Sequence, residues 1–269
     1  MYKTIITDLD GTLLNTNHKV DDFTKETLVQ LYNRGVNIIL ATGRSYYDAY
    51  RVKLDLGLDP PMITSNGATL FDSDNKELFR YNLDSNVCEY ILNLDYKQFG
   101  KDIILNTICE EKWLLHDKID KGHRLNEWVE ESWKYIYSGK NDINTEGVSK
   151  FFFFGNHDEL VNLQKHLQEK FGDRFNSAFT LPFCYEVFSK NANKGIALKK
   201  IAELKGFNLD EAVAFGDGFN DVEMLREVKK GYVMSNASEE LKKFLTDIEE
   251  AGYNKDSAVA KKIKELFKI

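Results

Sequence analysis

The sequence predicts an α/β protein, a parallel sheet with crossover helices, interrupted by an inserted second domain. Three observations carry this. Up to about residue 82, short apolar, β-branched runs alternate with helix-patterned segments. From about 83 to 189 the pattern becomes irregular and aromatic-rich. From 190 to the end the alternation returns. Parallel strands need long crossovers, usually helices, so a β-α-β-α-β rhythm implies a parallel sheet. The expected domains are therefore 1–82 joined with 190–269, and 83–189 between them.

Thr4-Ile5-Ile6-Thr7 reads as a buried strand. Asp21 or Asp22 can cap a helix with Leu28, Leu31 and Tyr32 on one face, and Gly35 stands where a helix C′ glycine belongs. Val36 to Leu40 reads as a second buried strand, ending in Ala41-Thr42-Gly43-Arg44. A helix follows, then Pro60-Pro61 and a third short strand, Met62 to Ser65, closed by Asn66-Gly67. That pair is also a turn signal by itself. The insert holds Trp113-Leu114-Leu115, a polar tryptophan-bearing segment from Asn126 to Tyr137, and Phe151 to Phe154. Four consecutive phenylalanines read as a buried strand, because bases stack on exposed rings and strand residues alternate faces. Asn193-Lys194-Gly195 then opens a helix carrying Ala197, Ile201 and Leu204 and closed by Gly206. Ala212 to Phe215 reads as a strand running into Gly216-Asp217-Gly218-Phe219-Asn220-Asp221. A helix, a short strand at Gly231 to Met234 and a helix from Ser238 complete the pattern.

Composition narrows the function. The chain of 269 residues is 42% hydrophobic and 13% aromatic, ample for a packed core. Its net charge of −7 and the absence of a basic stripe argue against a nucleic-acid partner. The pairs Lys242-Lys243 and Lys261-Lys262 are interleaved with Glu and apolar residues and read as solvated helix faces. Cys88, Cys109 and Cys184 are scattered and form no CxxC, which fits a reducing compartment. The five histidines lack ligand spacing and read as ordinary core or surface residues. No apolar stretch approaches the ~20 residues of a membrane span, and acid arrives at Asp8 before a signal sequence could form. A cytoplasmic protein, monomeric or weakly dimeric, is expected.

The chemistry begins at Asp8-Leu9-Asp10-Gly11-Thr12. Residues two apart in a strand share a side, so Asp8 and Asp10 converge on one site if extended geometry persists. Carboxylates that close repel unless a cation or shared proton separates them, and hard oxygen ligands suit magnesium. An EF-hand is excluded because Leu13 and Lys19 stand where its glycine and glutamate are required. No P-loop or GxGxxG follows any strand. Asp8 and Asp10 end one expected strand, Thr42 the next and Asp217 a later one, and ligands bind at the carboxyl ends of parallel strands. Lys194, at a helix start, can add the positive charge a phosphate needs. Singly, Thr42 suits a helix N-cap, Lys194 a surface lysine and Arg44 an ion pair with the scaffold.

In order, Asp8-Leu9-Asp10-Gly11-Thr12-Leu13, Ala41-Thr42-Gly43-Arg44, Asn193-Lys194-Gly195 and Gly216 to Asp221 resemble the haloacid dehalogenase superfamily. More narrowly, with Asn66-Gly67-Ala68 and the position of the insert, the chain resembles Cof-type phosphatases with a type II cap. The resemblance implies a Rossmann-like core with an inserted α+β cap that closes over the site and selects the substrate. It implies Asp8 as nucleophile and Asp10 as acid and base. Mg²⁺ would sit on Asp8, the Asp10 backbone carbonyl and Asp217. Asp221 would complete the metal group and orient Lys194 or a metal-bound water. Thr42, Gly43, Arg44, Asn66, Lys194 and Asn220 would contact the substrate, with Thr42 and Lys194 also serving catalysis. Asp10 favours phosphate esters over halides, since a halide leaves without a proton. Two segments depart from the pattern: Ser235 replaces a usual glycine, and Ser257-Ala258 replaces a usual Asp-Gly.

The expected activity is Mg²⁺-dependent hydrolysis of a small phosphorylated metabolite, foremost a sugar phosphate. Arg124, Lys112 and Trp113 are candidate cap contacts. A phosphomutase-like transferase would need an arginine-rich cap, whereas residues 83–189 hold only Arg124 and Arg174. A catalytically silent phosphometabolite-binding regulator would forfeit a carboxylate, and Asp8, Asp10 and Asp217 all remain.

Overall fold

A computed structural model describes residues 2–110, 112–129 and 134–269. Residues 130–133 of the tryptophan-bearing segment lie outside the described residues. The chain forms two compact units, residues 1–79 with 193–269, and residues 80–192.

The first unit is built on an eight-stranded sheet. Its strands are β1 (Thr4–Thr7), β2 (Asn37–Ala41), β3 (Met62–Thr64), β4 (Thr69–Phe71), β5 (Glu77–Arg80), β12 (Ala212–Gly216), β13 (Lys230–Val233) and β14 (Glu249–Glu250). Their order is β14-β13-β12-β1-β2-β3-β4-β5. The five pairings from β14 to β3 are parallel, and β4 returns antiparallel to β3. The α/β class expected from the sequence is thus the observed one.

Why these runs form the centre of the sheet follows from their burial on both faces. Ile5, Ile38, Leu40, Val213 and Phe215 pack into one core with the helices Asp22–Tyr32, Tyr46–Leu56 and Ala258–Phe267. Their neighbours Ile6, Ile39, Ala41, Ala212 and Ala214 pack into the opposite core with the helices Lys194–Lys205, Val222–Glu227 and Glu239–Phe244. Successive strand side chains point to opposite faces, so an unbroken apolar run serves two helical layers.

The ends of the elements are set locally. Asp21 caps the first helix by accepting the Thr24 N–H at 2.9 Å. At its far end the Gly35 N–H donates to the Tyr32 carbonyl and the Val36 N–H to the Leu31 carbonyl, with Gly35 at φ 81°. This is the paired closure a C′ glycine makes. Ser45, not Thr42, precedes the next helix. The third strand ends one residue earlier than expected, because Ser65 (φ 50°) and Asn66 (φ 58°) turn left-handed. Ser257 adopts φ 54°, and the Ser235 hydroxyl donates to Glu250 at 2.7 Å.

The second unit carries a six-stranded sheet of β6 (Ile104–Cys109), β7 (Lys112–Leu115), β8 (Ile136–Tyr137), β9 (Val148–Phe154), β10 (Phe175–Leu181) and β11 (Cys184–Ser189). The order is β10-β11-β9-β6-β7-β8, antiparallel except for β7 with β8. Phe151 and Phe153 pack under the helices Ser85–Asn93 and His157–Phe171, while Phe152 and Phe154 join Trp113, Leu115 and Leu125 on the other face. Of the candidate contacts here, Trp113 is a core residue whose Nε1 donates to Asn106 at 2.8 Å. Arg124 lies over the Phe183 ring, 3.6 Å from its centroid, and Lys112 is exposed. Cys88, Cys109 and Cys184 are free and buried. No helix among the described residues is long and apolar enough to cross a membrane.

Candidate active site

The carboxyl ends of β1, β2 and β12 lie side by side because β1 pairs in parallel with both neighbours. Asp8 follows β1 and is anchored by its N–H, which donates to the Phe215 carbonyl at 3.0 Å. Beyond it the chain closes a wide turn, Leu9–Leu13, with Leu13 N–H on the Asp8 carbonyl and Leu14 N–H on the Leu9 carbonyl. Gly11 stands in this turn at φ 75°, and a Cβ there would lie 2.1 Å from Asp217 Oδ2. The glycine thus answers two demands, a left-handed backbone and the closeness of a carboxylate from another strand.

Lys194 is the electrostatic centre. Asn193 caps its helix, accepting the N–H groups of Gly195 at 2.7 Å and Ile196 at 3.1 Å. The fully buried Lys194 ammonium donates to Asp8 Oδ1 and to Asp221 Oδ1, each at 2.6 Å. Burial alone would lower its pKa, but the charges of Asp221 and Asp8 outweigh it and hold the pKa above the ordinary lysine value. Asp221 is further engaged through Oδ2, which accepts the Asp217 N–H at 3.0 Å and the Gly218 N–H at 2.9 Å. Asp217 in turn accepts the Thr12 hydroxyl at 2.9 Å.

Among the described residues, Asp8, Asp217 and Asp221 offer oxygens that all lie within 4.8 Å of one another. Burial, the largest effect, and the charges of Asp221 and Asp217 push the Asp8 carboxyl well up, against the pull of Lys194. Burial and the Asp221 charge push Asp217 up to about 6. Carboxyls raised in this way are relieved by a cation, and an all-oxygen donor set suits a hard divalent ion. Asp221 has both oxygens committed to Lys194 and to the turn, which leaves Asp8 and Asp217 as the more available ligands.

Asp10 keeps an extended backbone (φ −73°, ψ 126°) inside the wide turn. Its charge adds to those that raise Asp217, and its carboxylate is held by Arg44. Arg44 Nε donates to Oδ2 at 2.7 Å and Nη2 to Oδ1 at 2.6 Å. Burial opposes ionisation of Asp10, but the Arg44 hydrogen bonds and charge, with a smaller pull from His18, keep its carboxyl below the ordinary value. His18 Nδ1 stands 3.5 Å from Oδ1. Any part for Asp10 in holding a metal would therefore fall to its backbone carbonyl.

Thr42 is buried, and its Oγ1 accepts the Arg44 N–H at 3.1 Å. The turn it begins is pinned to the end of β3, with Asn66 N–H on the Thr42 carbonyl and Ser65 N–H on the Arg44 carbonyl. Asn66 is more than a turn residue, since its Oδ1 accepts the Asn220 amide at 2.8 Å. A Cβ on Gly67, at φ 94°, would lie 2.4 Å from the Asn193 backbone, so this glycine lets the Lys194 helix approach. Two participants escaped the sequence reading. Thr12 stands inside the first motif, where its hydroxyl was the available signal; His18 comes from a loop with no pattern at all.

A carboxylate centre built around a buried lysine thus stands at the carboxyl edge of a parallel sheet. A family model for haloacid dehalogenase-like hydrolases matches residues 5–263. An HMP-PP phosphatase from Serratia proteamaculans is 33% identical over 264 residues, covering 97% of this chain and 93% of its own. Another from Yersinia pestis is 30% identical over 270 residues, with the same coverages of 97% and 93%. A haloacid dehalogenase-like hydrolase from Bacteroides thetaiotaomicron superposes with a TM-score of 0.86 at 22% identity, covering 99% of this chain and 100% of that one. A subclass IIB sugar phosphatase superposes with a TM-score of 0.79 at 20% identity, over 99% and 100%. These last two likenesses establish the fold alone. The chain belongs to the haloacid dehalogenase-like hydrolases and is a phosphatase.

Proposed function

We propose that this protein is a Mg²⁺-dependent phosphatase that hydrolyses small phosphorylated metabolites through an aspartyl-phosphate on Asp8. The observation that carries the reading is the buried Lys194 ammonium, 2.6 Å from both Asp8 and Asp221 and set beside Asp217. A carboxylate nucleophile must approach an anionic ester, and a preorganised cation in a dry site offsets that repulsion.

In the first step an Asp8 oxygen attacks phosphorus, the ester P–O bond breaks, and Asp10, having taken a proton from solvent against the pull of Arg44, passes it to the departing oxygen. In the second, water attacks phosphorus while its proton passes to the Asp10 carboxylate. The P–O bond to Asp8 then breaks, and both side chains are restored. One difficult displacement becomes two easier ones, with a single carboxyl serving as acid and then base. Thr42, the Gly43 N–H and Asn220 hydrogen-bond the phosphoryl oxygens, and Lys194 offsets their charge. Mg²⁺ would be held by Asp8, Asp217 and the Asp10 backbone carbonyl, and when bound it neutralises nucleophile and phosphate. Asp221 acts by holding Lys194 and the Asp217 turn.

Sugar phosphates and HMP-PP, the latter from the names of two relatives, are the first substrates to test. Choice of leaving group is assigned to the inserted unit. Three free, buried thiols support a reducing, cytoplasmic setting. The test is a screen of phosphorylated sugars, nucleotides and cofactors, with Mg²⁺ or with chelator, for the parent protein and for Asp8→Asn. Phosphate release that needs the metal and vanishes with the substitution is expected. Turnover surviving both treatments overturns the mechanism.

A further inference from the structure

The geometry points to Arg44 as a positioning residue for Asp10, not a ligand of the substrate phosphate. The inference rests on the roles just proposed for Asp8 and Asp10. Each of these carboxylates has its own cation. Lys194 takes Asp8 at 2.6 Å, whereas Arg44 closes a two-pronged fork on Asp10, Nε to Oδ2 at 2.7 Å and Nη2 to Oδ1 at 2.6 Å. Both oxygens of Asp10 are engaged, by the Nε–Nη2 edge of the guanidinium. A guanidinium committed this way fixes the plane as well as the position of a carboxylate, which an ammonium cannot do.

The backbone supports this on both sides. The Arg44 N–H donates to Thr42 Oγ1 at 3.1 Å and its carbonyl accepts the Ser65 N–H at 2.7 Å, so the root of the side chain is held. Asp10 sits between the fully buried Leu9 and the left-handed Gly11, with backbone hydrogen bonds closing the turn around it. What the backbone leaves undetermined is the rotation of the Asp10 side chain. Arg44 supplies that constraint. His18 reaches the same carboxylate at 3.5 Å, but its side chain is 76% exposed, too solvated to set an orientation. The Asp10 side chain is itself 45% exposed and Arg44 26%, so the pair contributes little to folding. Its value lies in aiming a proton.

The decisive variable is the leaving group. An alkoxide needs the proton from Asp10 as the ester P–O bond breaks; p-nitrophenolate departs without one. Arg44→Met and Arg44→Lys are compared with the parent protein in single-turnover reactions. Acid-quenched phosphoenzyme formation is followed from an alkyl phosphate and from p-nitrophenyl phosphate. With Arg44→Met, formation from the alkyl ester is expected to slow roughly tenfold to hundredfold, the loss typical of removing a partner that orients a functional group and less than the whole contribution of a general acid. The loss is at least tenfold greater than for p-nitrophenyl phosphate, with the melting temperature little changed. Arg44→Lys keeps the charge but not the fork and falls between the two. Equal losses for both esters, with weakened substrate binding, would make Arg44 a phosphate ligand and overturn the inference; so would no change with either. If the parent protein forms no phosphoenzyme from any ester, while Asp10→Asn behaves as the parent does, the underlying mechanism fails first and this inference falls with it.

Discussion

Asp221 and Asp217 meet through the backbone: Asp221 Oδ2 accepts the Asp217 N–H at 3.0 Å, while its Oδ1 receives Lys194 at 2.6 Å. One carboxylate therefore fixes both the cation and the turn that presents its neighbour. Asp221→Asn retains the shape but sets an amide N–H against an ammonium or a backbone N–H. Supporting residues of this kind cost about 10–100-fold in metal affinity or activity. A loss of that size, in Mg²⁺ titration by calorimetry and in turnover, is expected. Full affinity in the variant would count against this role.

Removing the cation strands the anions. Lys194→Met leaves Asp8 and Asp221 buried without their cation, a change that costs about 3–5 kcal/mol when one member of a buried pair is lost. Turnover is expected to disappear. The stability loss should shrink from pH 7.5 to pH 5, because protonated carboxyls tolerate burial. Thermal melts across that range give the measurement, and a pH-independent loss would contradict it.

The metal-free Asp217 carboxyl is raised to about 6 by burial and by the Asp221 charge. A carboxyl so raised binds its proton more tightly in the folded than in the unfolded chain. The stability it contributes is present at low pH and is lost as pH rises from its ordinary value near 4 through about 6. Asp217→Asn removes this cost. It should raise the stability of the metal-free protein at pH 7.5 by about 1–2 kcal/mol while weakening metal binding severely. In the parent protein, Mg²⁺ affinity should strengthen as pH rises through this window, since the ion must displace the proton. Calorimetry at pH 5, 6 and 7 would detect the slope, and a flat profile would refute it.

Gly11→Ala tests the closeness of the first turn to Asp217. The added Cβ would fall 2.1 Å from Asp217 Oδ2 and require a non-glycine residue at φ 75°. Strain of about 1–3 kcal/mol is expected, together with reduced metal affinity because the Asp217 carboxylate must move. Denaturant melts and Mg²⁺ titration would register the two effects separately.

Much of this was legible in the sequence. The apolar runs at Thr4–Thr7, Val36–Leu40 and Ala212–Phe215 read as buried strands, and the strands found there serve two apolar cores. Of the two capping candidates Asp21 and Asp22, Asp21 caps, and the helices read as opening at Asn193 and Ser238 are capped by those side chains. The run Phe151–Phe154 alternates between two cores as strand periodicity requires. Thr42 was less legible, because its residue type fits an N-cap, yet the cap position went to Ser45.

By itself, the sequence determined the α/β class, the strands that end in acid or hydroxyl side chains, and the family, because periodicity and short motifs are properties of neighbouring residues. Tertiary structure alone decided the pairing of charges. Asp8 and Asp10 are two residues apart, yet one faces Lys194 and the other Arg44, 186 and 34 positions away along the chain. The turn after β1 sets each carboxylate against a different cation, and that choice leaves no periodic trace among adjacent residues.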